Sequence, residues 1–326
     1  MPAGAATGPA GEEDRRELSL LSVAAPAYNE VDCIREFHRR VVDALEGIRF
    51  ELVLVDDGST DGTGEQLREL AAEDERVKII MLSRNFGHQP ALTAGLDHAA
   101  GDVVVMMDSD LQDPPEVIPR LLEAWQDGAD VVSAVREKRA GETRAKLATA
   151  RWFYRLFGRV SQVELEPEAG DFRLLDRRAL DVLLAMPERN RFLRGMSMWV
   201  GFDRAVVNYE RDARHAGVTK YTPRKMLRFS FDAISSFSNV PLQLATFLGF
   251  LFSAIAFLAI PVAIGFRIAG QFVPGVTTLL LVVLLLGGIQ LITVGIIGEY
   301  LGRVYDEVKR RPLYVVADRI NIDGRS

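Results

Sequence analysis

Apolar and polar residues follow two rhythms along this 326-residue chain, and the change near residue 239 divides it. Leu20–Ala25, Glu51–Val55, Val77–Leu82, Val103–Met107 and Asp130–Ala134 are short, mostly apolar runs bounded by turn or polar residues. That is the pattern of strands buried on both faces. Between them the spacing turns helical: Ile34, Phe37, Val41 and Leu45 recur on one face. Helices are predicted over 31–45, 63–72, 89–99 and 115–127. Buried strands alternating with helices predict an α/β fold whose mostly parallel sheet is covered by helices on both faces. Polar clusters fall at the carboxyl ends of the strands, where open α/β sheets place their ligands.

The rhythm then stops. Residues 239–266 carry no charged side chain, and neither do residues 268–298. Each stretch exceeds the roughly 20 apolar residues that cross a bilayer core. Two transmembrane helices are therefore expected within 239–300, joined by the short Gly270–Pro274 loop. Arg224, Lys225 and Arg228 lie on one flank, and Arg303, Lys309, Arg310 and Arg311 on the other. Positive charge stays inside, so both flanks are expected on the cytoplasmic side of a multi-pass plasma-membrane protein. Met226, Leu227, Phe229, Phe231, Ile234 and Phe237 sit among basic residues, as in an amphipathic segment lying in the membrane interface. A helix packed on the α/β domain has the same pattern. The resulting division is a disordered tail over 1–19, an α/β domain over 20–222, interfacial helices over 223–238, the two spans, and a cytoplasmic tail over 301–326. The first segment is Gly/Ala/Pro-rich and then charged, without the apolar core of a signal peptide.

Bulk composition changes this picture little. Hydrophobic content of 48% and a mean hydropathy of +0.07 average over two unlike parts. A net charge of −6 and a pI near 5.4 argue against a general nucleic-acid binder. The single cysteine, Cys33, permits no intrachain disulfide and no thiolate cluster, and its helical setting suits a packed thiol.

The candidate chemistry is concentrated in Asp108-Ser-Asp110-Leu-Gln112-Asp-Pro-Pro115. Two carboxylates two residues apart, just past a buried strand, can point the same way. With the Gln112 amide nearby they suit a hard divalent cation that also holds phosphates, and such a cation neutralises a departing diphosphate.

Three motifs occur in order on successive strand ends: Pro26-Ala-Tyr28-Asn29-Glu30, Asp56-Asp57-Gly58-Ser59-Thr60-Asp61 and the Asp108–Pro115 segment. Gly170-Asp171-Phe172-Arg173-Leu174 and Arg211–Tyr221 follow. In these five motifs the chain resembles family 2 inverting glycosyltransferases of the nucleotide-binding GT-A fold, over roughly residues 20–312. The subgroup is similar to bacterial polyprenyl-phosphate glycosyltransferases, including bactoprenol glucosyltransferases, and more distantly to dolichol-phosphate mannose synthase. The resemblance implies transfer of a hexose, UDP-glucose being the first choice of donor, to a polyprenyl phosphate with inversion.

It also implies roles. Pro26, Tyr28, Glu30 and Asp57 would cradle base and ribose, with Asp56 the alternative to Asp57 as contact or as cap of the following turn. Asp108 would lie at the ribose or the metal, and Asp110 with Gln112 at a Mg2+ or Mn2+ ion. Arg214 and Lys220 would neutralise the diphosphate. Asp171 is the candidate catalytic carboxylate beside Asp110, as a base or as an orienting group; an ion pair with Arg173 or Arg177 is its structural alternative. Arg136 and Arg144 would capture the acceptor phosphate. His88 reads as a loop residue beside the donor. Two spans make a small bundle, which a homo-oligomer would enlarge.

Other classes fit less well. Processive polysaccharide synthases carry a Gln-x-x-Arg-Trp segment, and the corresponding region here reads Arg194-Gly-Met-Ser-Met-Trp199. A non-catalytic membrane scaffold would have lost acids that every motif here retains.

Overall fold

The computed structural model describes residues 16–136, 169–210, 240–269 and 275–322. Eight strands form one sheet in the order β7-β5-β6-β4-β1-β2-β3-β8. They are β1 (Leu21–Ala27), β2 (Phe50–Asp56), β3 (Val77–Leu82), β4 (Val103–Met106), β5 (Val131–Arg136), β6 (Ala169–Asp176), β7 (Arg204–Tyr209) and β8 (Val316–Ile320). The helices of this part are α1 (Ile34–Ala44), α2 (Thr63–Glu73), α3 (His88–His98), α4 (Ile118–Gln126), α5 (Arg177–Ala185) and α6 (Leu193–Trp199).

All five strands expected from apolar runs are present, and β1 and β2 are buried along their whole length. Alternate residues of β2 serve opposite faces. Leu52 and Leu54 join a core with Phe37 of α1 and Leu67 of α2, whereas Val53 and Val55 pack with Ala91 and Ala94 of α3. Phe37 has no exposed surface, so truncation to Ala would cost about 3–5 kcal/mol.

Two strands turn the sheet from parallel to mostly parallel. β6 enters between β4 and β5 and runs antiparallel to both, and β8 pairs antiparallel with β3. β6 matters most for function, because it brings Asp171 and Arg173 beside the end of β4; Arg173 pairs in register with Met106.

Two expectations need correction, and a third is met in part. The last four residues of the expected disordered tail are held: Arg16 donates to the carbonyls of Gly128 and Ala129 and pairs with Asp130 at 3.1 Å, and Ser19 donates to Asp102. The expected C-terminal tail contains the end of a long helix and then β8, whose neighbour Asn321 donates to the carbonyls of Ala71 and Val77. Finally, two spans were expected, and among the described residues one stretch, Leu285–Lys309, is long and apolar enough to cross a membrane; a shorter apolar one covers Ala245–Ile255.

The chain divides into two compact units. One comprises 1–158, 163–221 and 312–326, the other 159–162 and 222–311. The second unit contains α7 (Val240–Ile268), with Pro261 inside it, and α8 (Val276–Lys309). At 34 residues α8 is about 51 Å long, well beyond a hydrocarbon core of about 30 Å. It therefore continues past its uncharged part through Glu299, Arg303 and Asp306. Phe250, Phe257 and Leu291 expose three quarters of their surface, apolar area that water alone does not favour.

Candidate active site

The site is built where β1, β2 and β4 end. After β1 the chain turns through Asn29, a non-glycine residue in the left-handed region at φ 57°. The next turn holds it there: Asn29 N–H donates to Ser59 Oγ, Thr60 N–H donates to Asn29 Oδ1, and Glu30 N–H donates to Thr63 Oγ1. The first two sequence motifs are thus one hydrogen-bonded unit. Asp56 caps its own turn by accepting from Ser59 N–H at 3.0 Å.

Asp57 does something different. It is buried, and its two oxygens accept the backbone N–H groups of Phe86 at 2.7 Å and Gly87 at 2.9 Å. Burial pushes its proton affinity up, and these two bonds oppose that. Gly58 allows the loop this close: at φ 71° it has no Cβ, and one would stand 2.7 Å from the backbone of Arg84 and Asn85. The loop after β3 is therefore pinned to the end of β2, and it delivers His88 to the site.

After β4 the chain enters the acidic motif. Ser109 Oγ donates to the Pro26 carbonyl, tying the motif to β1. Leu111 takes φ 61°, a strained conformation for a branched apolar residue, of the kind that collects at functional sites. Asp110 accepts from the backbone N–H and the side-chain amide of Gln112, so Gln112 is turned onto Asp110.

A cavity of about 250 Å³ lies among these ends, lined by Pro26, Tyr28, Glu30, Asp57, His88, Asp108 and Asp110. Every described residue assigned from the sequence to the donor therefore lines one space. His88 Nε2 lies 3.1 Å from Asp171 Oδ2 and 3.5 Å from Asp108 Oδ1. Burial alone would depress the His88 imidazole; the hydrogen bond to Asp171 and the charges of Asp108, Asp171 and Asp110 outweigh it and lift its pKa to about 9. Burial raises Asp108 to about 6, opposed by His88 and reinforced by Asp171, Asp110 and Asp113. Burial would raise Asp171 too, yet the His88 hydrogen bond and the charges of Arg194, His88 and Arg173 hold it at about 2.

A divalent cation fits this donor set. Asp108 and Asp110 share one cavity wall, two hard carboxylate ligands facing the same space. Among the described residues no group of three or more His, Cys, Asp or Glu could hold a metal by itself. Two carboxylates with the remaining places left to water and phosphate oxygens is how Mg2+ is commonly bound with its substrates.

Other expected residues lie elsewhere. Arg136 at the end of β5 donates to Tyr209 at 3.0 Å and to Asp113 at 3.1 Å, with Asp113 almost wholly buried. Arg177 donates to the carbonyls of Ala99 and Gly101 and pairs with Asp181, away from Asp171. Arg173, fully buried, donates to the carbonyls of Gly170 and Arg194 and to Ser197. Arg144, Arg214 and Lys220 fall outside the described residues. Sequence reasoning missed the part played by His88 and by Gln89, which donates to Asp171 Oδ2 at 3.1 Å. The signal was a pair of polar residues opening a helix just after a Gly-containing turn.

Residues 22–184 match the family described as Glycosyl transferase family 2. An uncharacterized glycosyltransferase of Bacillus subtilis, YkcC, is 45% identical over 93% of this chain and 95% of its own length. The bactoprenol glucosyl transferase of Shigella phage SfII is 42% identical over 91% of this chain and 97% of its own length. Among solved structures, glucosyl-3-phosphoglycerate synthase from Mycobacterium tuberculosis is 23% identical, covering 67% of this chain and 79% of that one, with a TM-score of 0.44.

Proposed function

The chain belongs to glycosyl transferase family 2, and from that premise we propose that it moves a hexose from a nucleotide sugar to a polyprenyl phosphate, with inversion, at the cytoplasmic face of a membrane. The observation that carries the acceptor class is the 42% identity to bactoprenol glucosyl transferase, which runs through the long C-terminal helices as well as the sheet. UDP-glucose is the donor of first choice.

The chain's own groups divide the work. Pro26, Tyr28, Glu30 and Asp57 form the wall for base and ribose; Asp57 acts there chiefly by fixing the loop that carries His88. Asp108 and Asp110 would hold Mg2+ or Mn2+, and Gln112 keeps Asp110 in place. When bound, the cation neutralises the diphosphate that leaves. Arg214 and Lys220 add positive charge to that leaving group. Asp171, ionised and buried beside His88, orients the acceptor or takes its residual proton. A phosphate acceptor is already an anion, so orientation outweighs deprotonation. Arg136 and Arg144 are the cations assigned to the acceptor phosphate; for Arg136 this requires sharing a guanidinium already bonded to Asp113 and Tyr209.

Membrane crossing by both long helices is part of the same reading. The chain leaves the sheet unit before residue 222 and is back in it by residue 312, where β8 pairs with β3. A segment that starts and ends on one side of a membrane crosses it an even number of times. In this reading α8 makes one crossing and α7, 29 residues long, makes the other. A cysteine replacing Phe272 should then react with an impermeant reagent in intact cells, while one replacing Arg15 should not. The opposite pattern removes this topology.

The activity itself is tested with purified protein, undecaprenyl phosphate, Mg2+ or Mn2+ and a panel of radiolabelled nucleotide sugars. Label entering the organic extract from one donor identifies the sugar. No label in the extract from any donor, with transfer to a soluble acceptor instead, defeats the polyprenyl reading.

A further inference from the structure

Gln89 has no place in the chemistry described so far, yet its amide is used at both ends. Nε2 donates to Asp171 Oδ2 at 3.1 Å, and Oε1 accepts the backbone N–H of Leu193 at 2.9 Å. Leu193 opens α6, so this N–H has no partner within its own helix. The two partners fix the amide's orientation. Reversed, it would set oxygen against a carboxylate and NH2 against N–H. The main chain at Gln89 is held too, since its carbonyl accepts from the Thr93 hydroxyl at 2.8 Å.

Asp171 is correspondingly lopsided. Oδ2 contacts both His88 Nε2 and Gln89 Nε2, each at 3.1 Å. Oδ1 is buried without a hydrogen-bond partner, with Arg194 Nε at 3.7 Å, itself lacking one. A carboxylate with one oxygen doubly bonded and the other turned toward a guanidinium is held in one orientation. Arg194 follows Leu193, so the same amide ties the segment bearing that cation to the carboxylate.

We propose that Gln89 is a positioning residue, holding Asp171 by Oδ2 and so fixing the direction of its carboxylate relative to His88 and Arg194. This rests on the reading of Asp171 as a reaction residue. His88 supplies charge at the same oxygen, while Gln89 supplies direction and joins three elements: α3, β6 and α6.

A double-mutant cycle tests it, using the full-length protein, UDP-glucose and undecaprenyl phosphate. Gln89→Leu should lower kcat about tenfold while UDP affinity stays within about twofold, the signature of an interaction used in the transition state. Combined with Asp171→Asn it should add no further loss, because it has nothing left to position. Losses that multiply, or wild-type turnover in Gln89→Leu, overturn the proposal. Wild-type turnover in Asp171→Asn alone removes instead the reading beneath it, and transfer by the wild-type enzyme is the control for the activity. Should Gln89→Leu fold poorly, Gln89→Glu keeps the acceptor for Leu193 and donates only when protonated. Its kcat profile should then be displaced to lower pH than that of the wild type. A superimposable profile would count against the proposal.

Discussion

Among the described residues, two histidine–aspartate pairs have nearly identical geometry: His38–Asp74 at 3.0 Å and His88–Asp171 at 3.1 Å. Their surroundings differ. His38 lies on α1, and Asp74 follows α2 just before β3 begins, at the opposite end of the strands from the cavity. Arg76 closes that pair with hydrogen bonds from its side chain and its backbone, and it is the leading cause that drives Asp74 well below the ordinary carboxylate range. Around His88 the balance is reversed. Asp108 and Asp110 add negative charge to Asp171, Asp108 is pushed up to about 6, and Asp171 Oδ1 goes unbonded. The first pair is saturated, and the second stands beside two further carboxylates on the wall of a cavity. The chemistry lies in that setting, which a cation and a substrate can enter, and not in the His–Asp contact.

The contrast can be broken most forcefully at Asp110. Asp110→Asn should lower kcat by at least about two orders of magnitude, roughly 3 kcal/mol of transition-state stabilisation. EDTA should abolish transfer by the wild type, and Mg2+ or Mn2+ should restore it. Full activity of the variant in chelator would end the metal assignment. Asp171→Asn should follow, with kcat down by about 10²-fold and donor dissociation nearly unchanged. A lowered melting temperature with normal turnover would make Asp171 part of the scaffold, like Asp74.

His88 sharpens the comparison through pH. Its folded pKa of about 9 lies above the ordinary value of about 6.5. The stabilisation is therefore complete below about pH 6.5 and is lost as pH rises through about 9. Melting temperature in chelator should decline across that window for the wild type, and much less for His88→Gln. The effect is a few degrees, because 43% of the side chain is exposed. Equal slopes would place the charge elsewhere.

The smallest effect belongs to the saturated pair. Asp74→Asn should leave turnover unchanged and cost about 1–2 kcal/mol of stability. Asp74 has a depressed folded pKa, so its contribution exists above about pH 3.9 and disappears as pH falls below it. The variant should accordingly lose less stability on acidification than the wild type. A drop in turnover at neutral pH would erase the distinction between the two pairs.

The sequence alone determined the central strands, because β1, β2 and β4 are covered on both faces and must read as apolar runs. It also determined which acids stand at their ends, since a strand end is a local feature. Pro26, Tyr28, Glu30, Asp57, Asp108 and Asp110 could be named as neighbours for the same reason, whereas the loop after β3 brings His88 to the same cavity.

Tertiary structure decided the rest. β6 carries Gly170, Asp171 and a fully buried Arg173, which no hydrophobic pattern marks as strand; it exists because Val103–Met106 and Val131–Val135 offer ladders on both sides. β7 lies at an edge and exposes alternate residues, and β8 pairs across more than 230 positions of chain, so neither has a local signature. The partners of Asp57, Asp113 and Asp171 were likewise set by approach across the fold, from Phe86 and Gly87, from Arg136 and Tyr209, and from His88 and Gln89. A strand end specifies where a carboxylate stands. Which donors reach it is fixed only when distant segments pack, and those donors make it a cap, a brace or a reaction group.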